Sequence, residues 1–162
     1  MIHQDYFDEN EKDDYEKLIT FNAKVGLFSE LKQIKGNKHY DASGRTTDGR
    51  TARIELKTRN FSLGDYKTLF IEDHKTANLL FDFICLNDEP IYLNFLNDGI
   101  AIFNLRRLTK RPEIDTKRTK SGGYGCWEYG ARNALYVEDA AVYDINNTLI
   151  QAPLWKVQGR DS

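Results

Sequence analysis

The 162-residue chain is poor in the residues that staple or punctuate a fold: two cysteines, three prolines, three histidines and one methionine. Two isolated cysteines cannot build a disulfide framework, and with three scattered histidines they make no zinc-binding spacing. Cys85, among Phe83, Ile84 and Leu86, is expected in the core rather than at a ligand, as free cysteines are mostly buried. Long apolar runs are also missing: the segment from Leu79 to Leu86 is interrupted by Asp82 and is too short to cross a bilayer. The first residues, MIHQDYFDENEKDD, are acidic where a secretory signal would be basic and then apolar, so a cytoplasmic location is expected. With 11 glycines, three prolines and no repeat, fibrous and collagen-like classes are excluded. Net charge is nearly absent too, since 23 Lys and Arg stand against 25 Asp and Glu. A chain with that balance has no global attraction for a phosphate backbone.

What is present is ample apolar material, with 40% hydrophobic and 12% aromatic residues. One globular domain over 1–162, large enough for a real core, is the expectation. The charges are not evenly spread. Residues 1–17 sum to -5, 18–60 to +5, 61–105 to -5, 106–120 to +5 and 121–162 to -2. Two basic blocks therefore alternate with acidic ones.

Tyr15, Leu18, Ile19, Val25 and Phe28 recur at loosely helical spacing, predicting a helix from Asp13 to Leu31 with a possible break at Gly26. From Gly36 to Arg59 the period changes to two around Thr47-Asp48-Gly49, the pattern of a hairpin. A strand over Tyr66 to Ile71 and a helix over Glu72 to Leu86 are expected next. A second hairpin follows, Ile91 to Leu96 and Ile100 to Leu105 about the turn Asn97-Asp98-Gly99. Together these predict an α/β sandwich about a mixed sheet. Residues 106–125 show no periodicity and read as a long basic and then glycine-rich loop. The apolar segment Ala134 to Ile145, Leu149-Ile150 and Leu154-Trp155 is expected to dock back as strands or a short helix.

The residues that carry chemistry are Asp41, Glu55 and Lys57. The triplet (Asp/Glu)-x-Lys occurs five times, beginning at Glu30, Glu55, Asp65, Asp73 and Asp115, so spacing alone selects nothing. Only Glu55-Leu56-Lys57 lies in a strictly alternating strand, where Ile54 and Leu56 enter the core and Glu55 and Lys57 share the other face. A three-residue turn with Gly49 left-handed would pair Thr46 with Arg50 and set Asp41 opposite Glu55. A two-residue turn centred on Thr47-Asp48 would instead pair Asp41 with Ile54 and turn it away. Facing carboxylates repel unless a cation lies between them, and Mg²⁺ takes such oxygen ligands. The plainer alternative is a surface hairpin with Glu55 and Lys57 exposed.

Tyr40-Asp41 and Ile54-Glu55-Leu56-Lys57, on a hairpin after an N-terminal helix and before a strand and helix, resemble the PD-(D/E)XK nuclease superfamily. In element order the chain is most similar to archaeal Holliday-junction resolvases and Mrr-like restriction endonucleases over roughly residues 12–105. Tyr40 departs from the superfamily name by standing where Pro is written. The resemblance implies a restriction-endonuclease-like αβββαβ core, a mixed sheet flanked by helices, an additional hairpin strand and a C-terminal extension over 126–162. It implies that Asp41, Glu55 and the Leu56 backbone carbonyl hold Mg²⁺ or Mn²⁺, that Lys57 assists the attacking water, and that Glu16, or less well Glu30, completes the metal shell. The implied activity is hydrolysis of DNA phosphodiester bonds in branched or duplex DNA, with RNA as a variant substrate and a homodimer as the expected assembly.

Phosphate contacts are expected from Arg45, Arg53 and Arg59 near the site, with Lys35, Lys38 and Arg50 in the same block, and from Lys75, beside His74 at the start of the following helix. The second block adds Arg106, Arg107, Lys110, Arg111, Lys117, Arg118 and Lys120. Plain solvation accounts for these charges as well. The stretch Ser121 to Trp127 lacks the setting of a nucleotide-binding loop. Tyr124, Trp127 and Tyr129 suit either base stacking or core packing. The alternative function is a catalytically silent nuclease fold that binds nucleic acid or serves assembly.

Overall fold

The computed structural model describes the backbone of residues 2–36, 40–120 and 127–158, and the side chains of 10–36, 40–115 and 130–158. Helix α1 spans Ile2–Val25. Among its described side chains Leu18 and Phe21 are buried, with Tyr15 and Val25 packed beside them, which is one stripe of an amphipathic helix. Gly26 ends it with φ +71°, its N–H donating to the Asn22 carbonyl at 2.8 Å. The Asn22 amide then grips Phe28, donating to its carbonyl and accepting from its N–H, both at 2.8 Å. That clamp turns the chain into β1, Phe28–Gln33. The helix expected to run on to Leu31 is therefore too long, because Gly26 and the Asn22 clamp redirect the chain.

β2 (Ala42–Thr46) and β3 (Thr51–Thr58) form the first hairpin. β4 (Thr68–Glu72) leads into α2 (Asp73–Leu86), which closes at Asn87 with φ +59°. β5 (Glu89–Leu96) and β6 (Gly99–Asn104) form the second hairpin. After a 3-10 turn at Leu105–Arg107 come β7 (Glu113–Lys120) and β8 (Trp127–Tyr136). A second 3-10 turn, Val137–Asp139, precedes β9 (Ala141–Asp144), β10 (Leu149–Gln151) and the short α3 (Leu154–Val157). The loop expected over 106–125 is thus in part a strand: β7 pairs with β8 from Glu113–Ala134 to Lys120–Trp127. Its charged sequence carries no apolar periodicity that would mark a strand.

The fold is mixed α/β, with a seven-stranded mixed sheet in the order β1-β2-β3-β5-β6-β9-β10 flanked by helices. β3 and β5 run parallel, joined through β4 and α2, and the other neighbours are antiparallel. Within this sheet the first part of the chain reads αβββαβ, but its three strands are β1, β2 and β3. The expected third strand, β4, belongs to a separate three-stranded sheet, β4-β8-β7. On one face of the large sheet Ala52, Ile54, Leu56, Leu93 and Phe95 pack with Leu18 and Phe21 of α1. On the other, Tyr92, Ala101 and Phe103 pack with Leu79 of α2 and with Leu69, Ile71 and Leu135 of the second sheet. β3 and β5 are thereby covered on both faces, as parallel strands usually are. Cys85, expected inside, is exposed, since Leu79 and Phe83 turn toward the sheet while Phe81, Ile84 and Cys85 lie on the outer side of α2. Cys126 lies outside the described residues.

β6 and β9 approach closely at Gly99, where an added Cβ would stand 2.4 Å from the Tyr143 carbonyl and 2.5 Å from Leu63 Cδ1. At Gly130 in β8 a Cβ meets no described atom within 4 Å. Urea unfolding is expected to show Gly99→Ala destabilised by about 1–3 kcal/mol through overpacking, against a near-neutral Gly130→Ala.

Candidate active site

The first hairpin turns through Thr47, Asp48 and Gly49. The Thr46 N–H donates to the Arg50 carbonyl at 2.8 Å, and Gly49 is left-handed at φ +84°. This is the three-residue turn, and the ladder runs Arg45–Thr51, Gly44–Ala52, Ser43–Arg53, Ala42–Ile54. Continued by one residue, that register brings Asp41 level with Glu55. β2 ends there, however, and Asp41 bends: its N–H donates to the Ile54 carbonyl at 2.9 Å, and its Oδ2 accepts the Leu56 N–H at 2.8 Å. The carboxylate thus takes the place along the β3 edge that the next β2 residue would have occupied. An extended residue directs its N–H and C=O to the same edge, so the Leu56 carbonyl faces the Asp41 side.

Glu55 does not project into solvent. It is 3% exposed, on the face of β3 that looks toward α2, beside Tyr92 of β5. Its carboxylate is paired with the Lys75 ammonium on the first turn of α2. Burial, then the charge of Asp41, pushes the Glu55 pKa up to about 7. Asp41 is also raised, by burial above all, while the Leu56 N–H and the charge of Lys75 pull it back. Burial works to lower the Lys75 pKa, but Glu55 overrides it and holds the ammonium above its ordinary value. Lys57 is exposed as a whole residue, yet partial desolvation, with the charges of Arg59 and Lys75 nearby, pushes its pKa down. Asp41, Glu55, Lys57 and Lys75 therefore act electrostatically as one cluster.

Among the described residues no three His, Cys, Asp or Glu side chains gather at metal-binding distance. The donors that are together, two carboxylates of raised pKa and a neighbouring backbone carbonyl, are all hard oxygens. That set fits a divalent ion such as Mg²⁺ or Mn²⁺, which would relieve the mutual repulsion of the carboxylates.

Glu16 is not brought to this cluster. It is exposed and lines a groove of about 590 Å³ with Lys17, Thr20, Thr58, Phe95 and Asn147. The α1 acid whose charge reaches Asp41 is Asp14, which accepts the Thr58 hydroxyl at 2.6 Å. Helical spacing explains the difference. Asp14 is one turn before the buried Leu18 and shares its face, whereas Glu16, two residues from Leu18, points the other way. Glu30 is exposed in β1 and pairs with Arg45 at 2.7 Å, away from the carboxylates.

Most of the expected phosphate contacts are engaged with protein partners. Arg53 bonds Asp88 at 2.8 Å and lies over the Tyr40 ring. Arg50 and Arg106 both hold the buried Glu89, at 3.0 and 2.8 Å. Arg59 donates to the Phe70 carbonyl and to the Tyr92 hydroxyl, which itself donates to Phe70. Arg107 stacks on Trp155, and Lys110 pairs with Glu138 at 2.7 Å. Arg111 and Lys35 are exposed. Lys117, Arg118 and Lys120 stand on β7 opposite Gly130, Tyr129 and Trp127, their side chains outside the described ones. Lys38 and Tyr124 also lie outside the described residues, as do the side chains of Trp127 and Tyr129.

No family model matches the chain, and no curated protein matches it. Among solved structures it is similar to Hjc, a Holliday junction resolvase from Archaeoglobus fulgidus, at 12% identity and a TM-score of 0.49, over 75% of this chain and 85% of that one.

The raised Glu55 pKa has a consequence for stability. A carboxyl that titrates near 7 when folded and near 4.5 when unfolded binds its proton more tightly in the folded state. Its contribution is complete below the unfolded value and is lost as pH rises through the folded one. In chelator-treated buffer, Glu55→Gln should therefore gain on the wild type by about 3 kcal/mol as pH climbs across that interval. Urea unfolding at each pH checks this, and a difference that stays flat contradicts it.

Proposed function

We propose that the chain is a Mg²⁺- or Mn²⁺-dependent deoxyribonuclease that hydrolyses phosphodiester bonds in branched or duplex DNA. The observation that supports this best is the seating of Asp41 against β3: its Oδ2 accepts the Leu56 N–H, its charge raises the Glu55 pKa, and Lys57 follows two residues along the Glu55 face. Asp41, Glu55 and the Leu56 carbonyl would hold the metal. When bound, the ion lowers the pKa of water and offsets the charge that builds on the phosphate.

The chain's own residues supply the rest. Lys57, whose lowered pKa leaves more of it as the neutral amine than an ordinary lysine, would accept a hydrogen bond from the nucleophilic water at Nζ and take up its proton. Arg59, locked by Tyr92 and the Phe70 carbonyl, fixes the end of the strand so that Lys57 keeps its direction. Exposed Arg111 and the basic β7 residues Lys117, Arg118 and Lys120 are assigned to the DNA backbone, a sequence-independent and salt-sensitive role. Arg50 and Arg106 are assigned instead to the Glu89 network.

One observation favours the second reading, a silent nuclease fold that binds nucleic acid without cutting it: Glu55 already has a cation, Lys75. Incubation of branched, linear and single-stranded DNA with Mg²⁺ or Mn²⁺ separates the two. Cleavage is expected, abolished by chelator and by Asp41→Ala, and slowed on the order of 10²–10⁴-fold in Lys57→Ala. Wild type that binds DNA but never cuts it with either metal establishes the silent reading.

A further inference from the structure

We propose that Lys75 is a built-in counterion that occupies Glu55 until a divalent cation displaces it, an inference that rests on the metal role proposed for Asp41 and Glu55. Lys75 sits in the first turn of α2, directly over the Glu55 face of β3, and its ammonium is bonded to Glu55 Oε1. The same charge reaches Asp41. The ammonium thus pairs with one carboxylate and lies within electrostatic reach of the other, the place a divalent ion would take.

The two partners differ in their freedom. The Glu55 side chain is 4% exposed and fixed in a central strand, whereas that of Lys75 is 32% exposed. An ammonium on a four-carbon stem can swing toward water, and a buried carboxylate cannot follow it. Glu72, half exposed at the solvent side of the helix start, adds its own attraction for the Lys75 ammonium and offers it a second seat. The displaced lysine would then present its charge at the mouth of the site, where a substrate phosphate arrives.

Two consequences follow, and the second is opposite in sign to that of a merely structural lysine. Removing the ammonium destabilises the metal-free protein, because a buried carboxylate is left without its partner. It also strengthens metal binding, because the competitor is gone. Calorimetric titration of Mg²⁺ into chelator-treated protein at about pH 8.5, where Glu55 is ionised, reads this directly. Lys75→Met should bind Mg²⁺ about tenfold or more tightly than the wild type, as loss of a sheltered like charge beside the ion requires. Lys75→Arg, whose guanidinium makes a stronger carboxylate pair, should bind it more weakly than wild type.

If Lys75→Met does not fold, the arginine variant decides: weaker binding supports the proposal, and unchanged or tighter binding overturns it. Folded Lys75→Met with unchanged or weaker affinity overturns the counterion role and leaves the metal reading standing. Absence of Mg²⁺ binding in wild type and variants alike overturns both.

Discussion

A carboxylate in the middle of a sheet that is covered on both faces has to be neutralised, and the surroundings of β3 follow from that requirement. Glu55 has Tyr92 beside it on the neighbouring strand and α2 above it. Taking such a charge out of water costs several kcal/mol unless a partner of good geometry is supplied. Two responses are visible: the Lys75 ammonium at the start of α2, and a pKa pushed up to about 7. A second carboxylate, Asp41, is held against the same strand by the Leu56 N–H, which sharpens the problem. An arrangement that places two carboxylates so close inside a fold is costly to stability, and sites of chemistry are where such costs are commonly found.

Much of this was legible in the sequence and some was not, for definite reasons. The strand from Arg53 to Arg59 declares itself by strict alternation, and the glycine of Thr47-Asp48-Gly49 implies the three-residue turn that pairs Thr46 with Arg50; the bend by which Asp41 bonds the Ile54 carbonyl was not legible. The burial of Glu55 was not legible, because alternation distinguishes two faces and does not say that both are covered. Nor was β1: its residues continue the helical spacing of α1, and only the left-handed Gly26 and the Asn22 clamp break the helix. Separation from Asp41 along the chain favours Glu16, with Glu30 second, and does not point to Asp14. The spacing from Leu18 would have chosen Asp14, since the buried stripe of α1 decides which acid can face β3. The basic residues of β7 read as a loop because a charged, antiparallel ribbon carries no apolar periodicity.

The near-neutral charge also has a structural sense now. The arginines of the first basic block are not free cations, since Arg45, Arg50, Arg53 and Arg59 are each tied to an acid, an amide or a carbonyl. In the second block Arg106 is drawn into the Glu89 network and Lys110 onto Glu138. Arginine tied in this way serves geometry more than long-range attraction, because its guanidinium bonds several acceptors at once. Among the described residues, most arginines of the two basic blocks are thus engaged within the fold.

The central claim is that Asp41 and Glu55 form one divalent-cation site. A crystal soaked in Mn²⁺ and measured for anomalous scattering tests it most directly. The account predicts a single strong peak between the two carboxylates and beside the Leu56 carbonyl. Saturating Mn²⁺ with no peak there, and the Lys75 ammonium still seated on Glu55, would contradict it.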